Sequence, residues 1–236
     1  MIRRLAQLIF GLVLYGFAAA LMVRANLGLS PWHIFHQGVA RVTGISFGMV
    51  VNLTGAALLL AWIPMRQRIG VGTILNIVTI GSAADFSLRL IPPVESLVVR
   101  WLLLAAAIGL TGIACGIYIG AGLEPGPRDG LMTGIAKRTG WSIRFTRTGV
   151  ELAVLAIGVL LGGKIGIGTF VYAAFIGPVV HFAMTKFAWR PDRGTQREVK
   201  NAAVRPPSGA TIRASRVSAL REWRTSRWRG PGKDRI

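Results

Sequence analysis

The chain has 236 residues, 52% of them hydrophobic, with a mean hydropathy of +0.53 and a formal charge of +19. Several apolar runs reach the ~18 residues needed to cross hydrocarbon, which excludes a soluble globule and predicts an all-α polytopic membrane protein. Its single cysteine, Cys115, excludes an intramolecular disulfide and argues against a metal cluster; beside Gly112 and Gly116 in an apolar run it reads as a small packing residue.

Arg3 and Arg4 precede an apolar run, Leu5 to Val23, that resembles a secretory signal, with Ala18 to Ala20 imitating a cleavage site. The run has a counterpart at Trp101 to Ile119, however, which predicts a retained helix. The relation between the two is general. An offset of 96 positions, without a gap, lays Pro31 on Pro127, Gly38 on Gly134, Thr43 and Gly44 on Thr139 and Gly140, Ser46 on Ser142, and Arg68 to Thr73 over Lys164 to Thr169. One offset holding along the membrane region is the mark of internal duplication.

Five further spans are predicted at Phe47 to Met65, Val71 to Ile91, Val98 to Ile119, Phe145 to Gly162 and Ile167 to Phe187, giving about six transmembrane helices, three per repeat. Repeat 1 covers about 5–91 and repeat 2 about 98–187. In each repeat a breaker follows the first span, Gly28 to Pro31 or Glu124 to Pro127. The segment after it is apolar enough for a short re-entrant or interfacial helix, since proline is tolerated at a helix start, where its missing N–H has no partner to lose. Non-helical backbone at membrane depth needs a wet cavity or protein around it.

Lys/Arg bias favours both termini in the cytoplasm. With an odd number of spans per repeat, the second copy is then inverted relative to the first, a recurrent plan of secondary transporters. Residues 188–236 form a basic tail with few aliphatics, predicted to be disordered and cytoplasmic. From Lys186 onward 14 Lys/Arg face 4 Asp/Glu, a balance of +10 that leaves +9 for residues 1–185 of the membrane domain, which runs to residue 187. Arg221, Arg224, Arg227 and Arg229, interleaved with Trp223 and Trp228, suit an anionic leaflet. No nucleic-acid-binding module is present.

Chemistry concentrates between residues 126 and 151. Glu151 is an ionisable group in an apolar stretch with Arg147 one helical turn before it, and such a group by default marks an interior site with a partner. A purely structural ion pair is the competing reading. Arg128 and Asp129 open the short helix of the second repeat; Asp129 suits the positive end of the helix dipole, and Arg128 offers a planar fork for a carboxylate or phosphate. Pro31, Trp32 and His33 occupy the matching positions in the first repeat. These seven residues are the candidate substrate-binding set. His33 and His36 lack a nearby third ligand, so interfacial hydrogen bonding is favoured over metal binding. Asp85 matches His181 under the offset and suggests a proton-linked couple, with snorkelling toward an interface as the simpler reading. Asn52, Asn76 and Tyr172 read as interhelical hydrogen-bonding groups. Hydrolytic elbows, phosphate loops and zinc spacings do not occur, so neither a catalytic residue nor a cofactor is assigned.

The runs Gly126 to Gly140, Ser142, Arg144, Thr146 to Gly149 and Glu151, with Leu27, Gly28, Ser30 to Trp32, His36 to Gly38 and Thr43 to Ser46, resemble the YczE/YitT-like family of bacterial integral membrane proteins. The likeness covers about residues 5 to 185 and is closest in the second half. It implies a multi-pass inner-membrane protein; where Asp often follows Pro-Trp in that family, this chain has His33. The expected function is transport of a small molecule or ion across the bacterial cytoplasmic membrane. The alternative is a non-catalytic scaffold or accessory protein for a partner, and a homo-oligomer is compatible with either.

Overall fold

A computed structural model describes residues 2–67, 69–123 and 126–187; Arg68, the Glu124-Pro125 half of the second breaker and the basic tail lie outside the described residues. All regular structure among them is α-helical: α1 (Ile2–Ala25), α2 (Pro31–Thr43), α3 (Phe47–Met65), α4 (Val71–Leu90), α5 (Leu97–Gly120), α6 (Pro127–Thr139), α7 (Ile143–Leu160) and α8 (Ile167–Phe187). Five of these, α1, α3, α4, α5 and α8, are long and apolar enough to cross a bilayer. The sixth expected span, α7, has 18 residues but carries Arg144, Arg147 and Glu151 in its first half, so composition alone does not mark it.

Local chemistry explains the helix ends. The Ser30 hydroxyl accepts from His33 N at the start of α2, and Ser46 and Ser142 do the same for Met49 N and Phe145 N at the starts of α3 and α7. Pro31 and Pro127 occupy the first turns of the two short helices. Both short helices stop at a glycine with φ of 73°, Gly44 and Gly140, whose N–H groups return to Ala40 O and Ala136 O. Only glycine takes that left-handed conformation without penalty.

The two longest helices form the centre of the bundle and run antiparallel. Arg4 Nε, at the start of α1, donates to Ala121 O at the end of α5 at 2.7 Å. Arg100 Nε, at the start of α5, donates to Ala25 O at the end of α1, also at 2.7 Å. The second guanidinium nitrogen of each arginine reaches the next carbonyl, Gly122 O and Asn26 O respectively. Each cation thereby satisfies terminal carbonyls of the other helix, where the dipole is negative.

Helices α4 and α8 flank this pair through small residues. A Cβ added to Gly16 would lie 2.4 Å from Ile80 O, and one added to Gly112 would lie 2.3 Å from Val179 Cγ1. Gly116 likewise abuts Ala183, so these α5 glycines set close helix approach, as their four-residue spacing suggests. The core groups Leu8, Leu12, Phe47, Val51 and Ile80 at one end and Met22, Leu29, Ile34, Leu104 and Ile108 at the other. Outward faces present Leu60, Val98, Leu160, Phe170 and Phe182, while His33, His36, Thr73 and Thr111 are buried. Large apolar chains outside and polar chains inside suit a molecule solvated by lipid.

Candidate functional site

The starts of the two short helices meet at a cavity of about 380 Å³. Ser30, Pro31 and Trp32 line it from α2 and its cap; Gly126, Pro127, Arg128, Asp129 and Met132 line it from α6 and its cap. Arg147 and Glu151 of α7 complete the charged wall, and Tyr15, Asn76, Cys115, Tyr118 and Tyr172 contribute polar groups from the longer helices. Breaker, proline and helix start thus serve one purpose twice: they bring a helix N-terminus to the edge of an interior space.

Contact between the short helices is direct. The Arg128 guanidinium sits 4.8 Å from the centroid of the Trp32 ring, close enough for a cation–π interaction. A guanidinium in such a contact retains N–H donors of the kind that recognise planar oxyanions. Gly126 provides no side-chain cap, so the first N–H groups of α6 have no such acceptor, in contrast to α2, where Ser30 supplies one.

Arg147 and Glu151 form an ion pair, Nε to Oε1 at 3.0 Å, across one turn of α7. Asp129 makes no ion pair or hydrogen bond among the described residues and feels Arg147 and Arg128 at longer range. Arg128 and Asp129, adjacent in the first turn of α6, both line the cavity.

His33 is placed behind the cavity and not on its wall. Its ring packs 6.3 Å from Tyr15 and 5.7 Å from Phe47, with His36 at 6.0 Å. Both histidines are at most 2% exposed, and none of their four ring nitrogens has a hydrogen-bond partner among the described residues. The indole Nε1 of Trp32 is in the same position.

Six of the seven candidate residues therefore line one cavity. Tyr15 and Tyr118 were not singled out by sequence; their rings meet edge-on at 6.2 Å. The available signal was a polar aromatic within an apolar helix, mid-span for Tyr15 and two residues from the helix end for Tyr118, which seeks a partner when buried. Cys115, Asn76 and Tyr172, expected to be packing or interhelical groups, also reach the cavity. Asp85 does something else. It accepts from Ser46 Oγ at 2.5 Å, Gly48 N at 2.6 Å and Met49 N at 3.2 Å, all at the start of α3. His181 is exposed on α8, so Asp85 serves as a helix cap and its couple with His181 finds no support.

Comparison with known proteins gives the same membrane architecture a family. A model described as a family of unknown function, DUF6198, matches residues 2–185. An uncharacterised protein of Haemophilus influenzae is 35% identical over 189 residues, 80% of this chain and 87% of the relative. The uncharacterised membrane protein YczE of Bacillus subtilis is 30% identical over 200 residues, 84% of this chain and 93% of the relative. No solved structure matches. With that coverage of the helical region and its cavity, the chain belongs to the DUF6198 family of YczE-like membrane proteins.

Proposed function

We propose that the protein is a transporter of a small molecule or ion in the bacterial cytoplasmic membrane, built from two inverted repeats with α7 as the sixth span and both termini cytoplasmic. The observation that carries the reading is the shared cavity: the starts of two short helices from different halves of the chain line it, with four charged side chains. Discontinuous elements of this kind form the sites of many secondary transporters.

Helix boundaries and contacts support the inversion. The starts of α2 and α6, α3 and α7, and α4 and α8 each lie 96 residues apart. Arg4 and Arg100 hold the same spacing, as do their acceptors Ala25 and Ala121. Trp32 and Arg128 are counterparts under the offset and touch one another, as residues beside a twofold axis do. Charges on α7 have a site to face, which accounts for a span of modest apolarity. The tail, outside the described residues, reads as a ligand for anionic lipid, and the absence of a catalytic signature in the sequence favours transport over enzymatic activity.

Flux measured in membrane vesicles tests the proposal. Glu151→Gln and Arg128→Ala are expected to abolish accumulation or efflux while the protein remains folded. Normal flux in both variants would sink the site. Crosslinking that recovers a stoichiometric partner, with no flux of any solute, would favour the scaffold reading instead.

A further inference from the structure

Among the described residues, the cavity holds one charged side chain of each sign that has no ion-pair partner. Of its four charged side chains, Arg147 and Glu151 engage each other at 3.0 Å. Arg128 is stacked on Trp32 at 4.8 Å and has no carboxylate partner among the described residues; Asp129 has neither ion pair nor hydrogen bond there. Beside Arg128 lies the start of α6, which has no side-chain cap. Guanidinium and helix start suit an oxyanion. Tyr15, Tyr118 and Tyr172 contribute aromatic faces and hydroxyls to the same cavity, a lining that suits an ammonium group held near a carboxylate.

A lone anion would leave Asp129 uncompensated in a confined space, and a lone cation would leave Arg128 so; both arrangements are costly. A ligand carrying both charges and no net charge meets both demands. We propose that the cavity binds a small zwitterion of the α-amino-acid type, with its carboxylate at Arg128 and the start of α6 and its ammonium at Asp129 and the tyrosine rings. At about 380 Å³ the space lies at the small end of ligand sites, which suits a ligand of that size. The inference rests on the transport reading for the role of the site, but its chemistry is tested by binding alone.

The full-length protein in lipid nanodiscs is melted and titrated with the common α-amino acids, with their methyl esters, which keep only the cation, and with the matching des-amino acids, which keep only the anion. At least one amino acid is expected to raise the melting midpoint and bind saturably, and its ester and des-amino analogue to bind about tenfold more weakly or worse. Arg128→Gln is expected to lose the preference for the amino acid over its ester, and Asp129→Asn the preference over the des-amino acid. The inference is overturned if no amino acid binds, if a single-charge analogue binds as tightly as the zwitterion, or if both variants keep both preferences. Should either variant lack a cooperative melt, the analogue comparison on the unaltered protein decides. Vesicle flux of a solute without both charges, with no amino acid bound, would remove this inference and leave transport standing; amino-acid binding without flux would do the reverse.

Discussion

Asp85 shows how one side chain can be misjudged from sequence. An acid in an apolar helix suggests an intramembrane function. Its three donors, however, come from Ser46, Gly48 and Met49, which close the start of a neighbouring helix. Nothing local in the sequence announces a cap supplied from another element some forty positions away. Asp85→Ala is expected to lower stability by about 1–2 kcal/mol, the range for lost caps and charge-assisted hydrogen bonds. Because Asp85 does not line the cavity, ligand binding and flux should survive at temperatures where the variant stays folded; a loss of flux with an unchanged melt would reverse the assignment. Glu151 has the opposite profile. Its pair with Arg147 follows from the i,i+4 spacing and was legible, and with side chains 62% and 34% exposed the pair adds little to stability. Glu151→Gln should cost under about 1 kcal/mol in a denaturation measurement while removing flux, a separation that a merely structural pair would not produce.

At the scale of elements, proline, serine and glycine punctuation made the two short helices readable to within a residue or so. The packing of those helices was not readable, because it depends on which half of the chain each one meets. Helix α6 rests on α3 by admitting Trp62 over Gly130: the indole Nε1 donates to Pro127 O at 3.0 Å, and a Cβ on Gly130 would fall 1.9 Å from Trp62 Cζ2. Helix α2 rests on α7 with the sizes exchanged, a Cβ on Gly158 falling 2.5 Å from Phe35 N. Trp62 and Gly158 are counterparts under the 96-residue offset, so a bulky ring at one of these contacts stands where the other has a glycine. Gly130→Ala should destabilise by about 1–3 kcal/mol through overpacking, and Trp62→Leu by about 2–5 kcal/mol through the space it leaves. The double variant should lose clearly less than the sum, since the smaller side chain relieves the clash; additive losses in thermal or denaturant unfolding would show that the two residues do not share the contact. Sequence reading places a sixth span over α7, whereas length and hydropathy mark only the other five long helices as candidate spans. The difference lies in the first half of α7, where Arg144, Arg147 and Glu151 lower its apolarity and Arg147 and Glu151 line the cavity.

At the scale of the whole molecule, the question is whether the two halves enter the membrane in opposite senses. The arginine at the start of α1 caps the end of α5, and the arginine at the start of α5 caps the end of α1, so these helices are antiparallel. If all three long helices of each half follow that relation, the ends of α2 and α6 emerge on opposite sides of the bilayer. Val42 and Arg138 are exposed residues at those ends and counterparts under the offset, and Cys115 is the single native thiol. In a Cys115→Ser background, Val42→Cys is expected to react with a membrane-impermeant maleimide in spheroplasts, and Arg138→Cys only in inverted vesicles. Labelling of both from one side would rule out inversion, and with it the pairing of two half-helix N-termini about a twofold axis. Labelling from the sides opposite to those expected would retain inversion and reverse only the orientation drawn from the Lys/Arg bias, placing the termini outside. The experiment therefore separates two properties that the charge distribution had joined: the relation of the halves, which helix contacts support, and their polarity in the membrane, which rests on the positive-inside tendency.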